Sequence, residues 1–186
     1  MAISSTSCHV SQILFLSVLF TVSIATAEPG NKLVEEICNR TSDYSFCVNA
    51  LYSDSRTPEA DLYILAFISV GLADISGTVT RDYINTLLKN SSSHGDEYYQ
   101  RLLTCSDDYN KAVLAIETAY SDLNFESFYG FPYLAGKASA AVEDCEAGFH
   151  GILSPPLGDR NHDLKVLCEI FSVVGKLLTG ESLCMV

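Results

Sequence analysis

The chain has no tryptophan, five prolines, and only 11 Lys and Arg residues against 23 Asp and Glu in 186 residues. The shortage of basic residues leaves a formal net charge of −12, which repels polyanions and excludes nucleic acid and anionic membrane surfaces as partners. Signatures of catalysis are missing as well. There is no G-x-S-x-G elbow, no H-E-x-x-H, no P-loop and no G-x-G-x-x-G after a strand. His94, His150 and His162 are scattered without ligand spacing, whereas a zinc site needs three or four converging donors. Neither C-x-x-C, adjacent Cys-Cys nor Cys-x-Cys occurs, which removes a thiol redox motif and the cysteine pattern of plant lipid-transfer proteins. The sequence therefore offers no catalytic residue, no metal site and no cofactor motif.

What is present is enough to build a core. Hydrophobic residues make up 48% of the chain and charged residues 18%, too apolar for disorder, and the length suits one domain. At the N-terminus Ile13 to Phe20 is a short apolar run, extended by Val22 and Ile24, that ends at Ala25-Thr26-Ala27. This is the pattern of a signal peptide: the run is too short to span a bilayer, and small residues mark the cleavage site. Residues 1–27 contain no Lys or Arg, so the usual basic start is absent. Cleavage after Ala27 removes 27 of 186 residues and one of seven cysteines, leaving 159 residues and six cysteines: Cys38, Cys47, Cys105, Cys145, Cys168 and Cys184. An even count in an exported chain points to disulfides, with fifteen possible pairings among six. Asn39-Arg40-Thr41 and Asn90-Ser91-Ser92 are N-glycosylation triplets that fit the secretory route.

The mature chain reads as helices. Leu65, Ile68, Leu72, Ile75 and Val79 step by three and four, predicting a helix over 58–89 with this stripe in the core. Thr57-Pro58-Glu59 supplies its N-cap and first turn. The rhythm recurs at 96–123 (Leu102, Cys105, Tyr109, Ala112, Ile116), at 127–149 (Phe128, Phe131, Leu134, Ala138, Cys145), and in a last stretch from Leu164 to Leu178 closed by Gly180. No segment alternates with period two. The expected fold is all-α: an antiparallel up-down-up-down four-helix bundle over residues 54–186, with a short helical hairpin at 28–53 broken at Thr41-Ser42-Asp43.

The cysteines fit this layout. Cys105 and Cys145 each lie 20 residues from Phe125 in the predicted turn, so in antiparallel helices both stand about 30 Å from it. Cys38 and Cys47 bracket the hairpin break. Cys145 and Cys168 are also nearly symmetric, about Pro155-Pro156, so spacing alone leaves the pairing open. Asp107-Asp108 and Glu143-Asp144 are acidic pairs on predicted helices. Adjacent helical residues point about 100° apart, so neither pair forms a catalytic dyad, and their alternatives are a solvated face or a recognition surface for a partner protein.

Leu33-Val34-x-x-x-Cys38-x-x-Thr41-x-x-Tyr44-x-x-Cys47 resembles the opening of the plant invertase and pectin methylesterase inhibitors. The Cys105 to Cys145 interval, Cys145-Glu146-x-Gly148-Phe149 and Gly151-Ile152-Leu153-Ser154-Pro155 extend the resemblance along the whole mature chain, within the subgroup that includes pollen proteins labelled invertase inhibitors. The resemblance implies a helical hairpin before a four-helix bundle, with disulfides Cys38–Cys47 and Cys105–Cys145 and a free cysteine near Cys168; Cys184 lies outside the pattern. It further implies a secreted, apoplastic inhibitor that binds a cell-wall enzyme one to one and covers its active-site cleft. Contact residues are expected near the longer disulfide, with Asp107, Asp108, Glu143 and Asp144 as candidates. Two signatures of target choice are missing. The P-K-F of invertase inhibitors corresponds to Glu126-Ser127-Phe128 here, and the T-C-x-D of pectin methylesterase inhibitors to Asp144-Cys145-Glu146-Ala147. Pectin methylesterase is the favoured target and invertase the alternative. A secreted small-ligand carrier is the competing class.

Overall fold

The computed structural model describes residues 30–91, 96–152 and 155–180; the leader, His94 and Cys184 lie outside the described residues. Six α-helices run in order: α1 (Lys32–Cys38), α2 (Tyr44–Tyr52), α3 (Leu62–Asn90), α4 (Glu97–Asn124), α5 (Phe131–Ala147) and α6 (Gly158–Thr179). Four start signals are aspartate or asparagine caps. Asn31, Asp43, Asp61 and Asp96 accept from the backbone N–H of Leu33, Phe46, Ile64 and Tyr99, filling donors that a helix start leaves unpaired. Gly180 takes the left-handed conformation (φ 68°) that ends α6, as its place past the last periodic residue anticipates.

Helices α3 to α6 form a four-membered ring in which α3 packs on α4, α4 on α5, α5 on α6 and α6 on α3. The hairpin α1–α2 lies against α6 and the start of α3. Its turn is fastened to α6 by polar contacts: the Ser42 backbone N–H and hydroxyl both donate to the Glu169 carboxylate, at 2.6 and 2.9 Å. Beside them the Asp43 carboxylate lies 3.3 Å from the His162 ring nitrogen. At the hairpin's other end the Asn31 amide donates to the carbonyls of Thr57 and Ala60, both at 2.8 Å.

Two sequence expectations about α3 are corrected. Thr57-Pro58-Glu59 forms a short 3-10 turn, with the Thr57 hydroxyl donating to the Leu51 carbonyl, and the helix starts five residues later behind Asp61. The core stripe holds at Leu65 and Ile68, which are buried, and is lost further along, where Ile75 and Val79 are 63% and 51% exposed. The buried stripe runs through Leu65, Ser69, Ala73, Gly77, Thr80 and Ile84, where small residues let the neighbouring helices approach. A Cβ on Gly77 would sit 3.2 Å from Val113 Cγ2 of α4. Hydrophobicity alone selects the larger side chains, while close packing selects the smaller ones.

Inside the ring an edge-to-face aromatic chain joins three helices at the α4–α5 turn end. Tyr63 meets Phe128, Phe128 meets Phe131 and Phe131 meets Phe171, with centroids 5.8–6.1 Å apart. Further along, the Tyr109 hydroxyl of α4 donates to Asn161 Oδ1 of α6 at 2.7 Å, both residues being buried. Burial pushes the Tyr109 phenol well above its ordinary range, so it remains a neutral donor.

Candidate interaction face

Two disulfides brace the fold. Cys38 is joined to Cys47 across the hairpin turn, and Cys105 to Cys145 between α4 and α5 with Cα atoms 4.5 Å apart. Cys168 is a free, buried thiol whose pKa burial raises far above the ordinary range, so it is held as an unreactive thiol.

The four acidic candidates separate by burial. Asp107, Glu143 and Asp144 are exposed, whereas Asp108 is 3% exposed. One Asp108 oxygen accepts from Lys111 Nζ at 2.8 Å and the other, Oδ2, has no hydrogen-bond partner. A buried carboxylate of this kind cannot touch a partner directly. Its effect is to hold the Lys111 ammonium, whose pKa is raised first by that bond and then by the charges of Asp108, Asp107 and Asp144.

Lys111 stands at one end of a groove of about 530 Å³ between α4 and α5. Leu114, Ala115 and Thr118 line it from α4, and Leu134, Lys137, Ala140, Ala141 and Asp144 from α5; Ala115 and Ala141 are buried and Ala140 is exposed. The rim is apolar and cationic at once: Leu114 is 64% exposed, Tyr133 is 69% exposed, and Lys137 Nζ lies 5.6 Å over the Tyr133 ring. Among the described residues no carboxylate lies within 4 Å of Lys137, so its charge is available to a partner. Beyond the groove the α4–α5 turn presents Phe125 and Tyr129, 81% and 77% exposed, and holds Glu126 at φ 56°. Contiguous exposed aromatic and aliphatic groups of this extent mark an interaction surface.

The resemblance points to candidate contacts near the longer disulfide; it names none of Lys111, Leu114, Tyr133 and Lys137, which the structure brings to this groove and its rim. The signals were present in spacing: Asp108 and Lys111 at i, i+3, and Tyr133 and Lys137 at i, i+4, each share a helix face. Asn39, at the end of α1, and Asn90, the last residue of α3, are both exposed. No group of three metal-ligating side chains is present among the described residues.

Fold and face define a disulfide-braced helical protein that offers a preformed surface. Comparison with known proteins specifies the class. Residues 32–172 match the family described as plant invertase/pectin methylesterase inhibitor, and the chain belongs to that family. It is 32% identical over 171 residues to the pectinesterase inhibitor of Actinidia deliciosa, covering 91% of this chain and 90% of that one. It is 33% identical over 119 residues to the cell wall / vacuolar inhibitor of fructosidase 2 of Arabidopsis thaliana, covering 62% of this chain and 65% of that protein. Among solved structures, a mutant form of a pectin methylesterase inhibitor from Arabidopsis superposes with a TM-score of 0.70 at 19% identity, over 77% of this chain and 95% of that one. That likeness concerns the fold.

Proposed function

We propose that this chain is a secreted inhibitor of pectin methylesterase that binds its target one to one and covers the active-site cleft. The observation that carries the reading is the similarity to the Actinidia deliciosa pectinesterase inhibitor over 91% of this chain and 90% of that one. The α4–α5 face is the proposed contact surface. It presents an apolar floor, two lysines and exposed aromatic rims on helices locked by a disulfide. Rigidity matters to such a role, because a surface already in its bound shape loses little conformational entropy on association. In this arrangement Asp108 is a positioning residue that acts through Lys111, and Asp107, Glu143 and Asp144 form the polar surroundings. The site of action is the cell wall outside the plasma membrane, reached by the leader at residues 1–27, with residues 28–53 as the hairpin and 54–186 as the bundle.

Invertase is the second reading. It is favoured by the protruding Phe125–Tyr129 turn, which includes the position of the invertase-inhibitor tripeptide, here Glu126-Ser127-Phe128. Titration of the purified mature chain into pectin methylesterase and acid invertase assays separates the two. Loss of pectin methylesterase activity that saturates at one equivalent, with invertase unaffected, is the expected outcome. A dose-dependent loss confined to invertase selects the second reading.

A further inference from the structure

The two N-x-[ST] triplets occupy one half of the molecule. Because the bundle is a ring, α4 and α5 form the half opposite α3 and α6, and the hairpin lies on the latter. Asn39 is exposed at the end of α1, three and four residues before the Ser42–Glu169 and Asp43–His162 contacts that fasten this turn to α6. It therefore stands over the α6 side. Asn90 is exposed at the end of α3. Eleven residues earlier on that helix is Val79, nearly in line with Asn90 and about 16 Å away, with Ile75 one turn further. Ile75 and Val79 are the exposed large apolar residues of α3, with the exposed Asp82 and Thr86 lying between Val79 and Asn90. No acceptor triplet occurs between residues 97 and 152, the span of α4 and α5.

We propose that Asn39 and Asn90 are N-glycosylated and that the two glycans confine target docking to the α4–α5 half of the bundle. An N-linked glycan is bulky and strongly hydrated, so a protein partner is kept off the surface around its attachment point. This inference rests on the secretory and inhibitory reading above.

The test uses the full chain secreted from a plant host. Intact mass and peptide mapping before and after peptide-N-glycosidase treatment are expected to show glycans at both positions, each lost in Asn39→Gln or Asn90→Gln. Removing both is expected to change inhibition by less than about two-fold, because neither sugar touches the target. A third glycan supplies the opposite arm: Lys137→Asn converts the Lys137-Ala138-Ser139 triplet into an acceptor in the middle of the α4–α5 groove. Its glycosylated fraction, isolated on a lectin column, is expected to inhibit about 100-fold more weakly than the Lys137→Asn/Ser139→Ala pair, which lacks the acceptor. Secreted chain bare at both Asn39 and Asn90 overturns the assignment. Full inhibition with a glycan at position 137, or a ten-fold gain on removing the native glycans, overturns the placement. Chain glycosylated at both positions that inhibits neither enzyme overturns the functional reading instead.

Discussion

Gly175 of α6 rests directly on Phe131 of α5: a Cβ added at Gly175 would fall 2.5 Å from Phe131 Cβ. Phe131 is itself buried and continues the aromatic chain to Phe128 and Phe171, so it has no open space to move into. The clash involves the root of the ring side chain, which cannot swing aside as a flexible tip does. Gly175→Ala is expected to destabilise the fold by roughly 1–3 kcal/mol in urea denaturation, although alanine is the better helix former. An unchanged or raised midpoint would show that α5 and α6 are not packed this closely.

The two disulfides close loops of different length, which predicts unequal effects. With sequence separations of 9 and 40, loop-closure entropy gives about 3 kcal/mol for Cys38–Cys47 and about 4 kcal/mol for Cys105–Cys145. Replacing each pair by alanine in turn and comparing unfolding free energies checks the order. If losing the Cys38–Cys47 bridge costs more, hairpin docking rather than chain entropy dominates.

Alkaline stability depends on Cys168 and Tyr109, both buried in neutral form with pKa values raised by burial. A raised folded pKa means that the stabilising contribution is complete below the unfolded value and is lost as pH rises toward the folded one. For Cys168 the loss begins near pH 9 and for Tyr109 near pH 10, at about 1.4 kcal/mol per pH unit for each group. Cys168→Ala should therefore show a shallower fall in unfolding free energy between pH 9 and pH 10 than the parent chain. Parallel slopes would mean that the thiol titrates in the folded state.

The hairpin turn responds at the acid end. Asp43 caps α2 through the Phe46 N–H, and this bond is the main cause that lowers its carboxyl pKa, with His162 adding to it. A depressed folded pKa gives a contribution that is present above the unfolded value, near 4, and disappears as pH falls through the folded one. Asp43→Ala is expected to lower the thermal midpoint at pH 6, with the gap to the parent narrowing below pH 4. A gap that is constant from pH 6 to pH 3 would contradict the role of the ionised carboxylate.

Much of this architecture was legible in the residues. The break at Thr41-Ser42-Asp43 and the helix stop at Gly180 follow from local chemistry, which acts over a few positions, whereas the start of α3 is misplaced because Thr57-Pro58-Glu59 has the composition of a cap and first turn while Asp61 is the cap. The placement of Cys105 and Cys145 equidistant from Phe125 is compatible with their bridge, but Cys145 and Cys168 are nearly as symmetric about Pro155-Pro156, so the pairing comes from the family resemblance and not from spacing. The stripe of α3 was legible only in its first half, where Leu65 and Ile68 are buried as expected; further along Gly77 and Thr80 are buried for their size and Ile75 and Val79 are left outside. The separation of Asp108 from Asp107 was equally hidden. Adjacent acids look alike in sequence, and only the approach of a neighbouring helix buries one of them. Lys137 gained its meaning from Lys111 and Leu114 across the groove, a relation between two helices that no spacing within one helix contains.

The most direct measurement is a titration of pectin methylesterase with the mature chain and with its Leu114→Arg/Lys137→Glu variant. Both substitutions are on exposed positions of the α4–α5 rim, so the fold and its denaturation midpoint should be preserved. The parent is expected to inhibit with an endpoint at one equivalent. The variant, with a charge driven onto the apolar rim and another reversed, should inhibit at least about 30-fold more weakly. A parent chain without effect at micromolar concentration, or a folded variant as potent as the parent, would contradict the central claim that this chain acts as an inhibitor through its α4–α5 face.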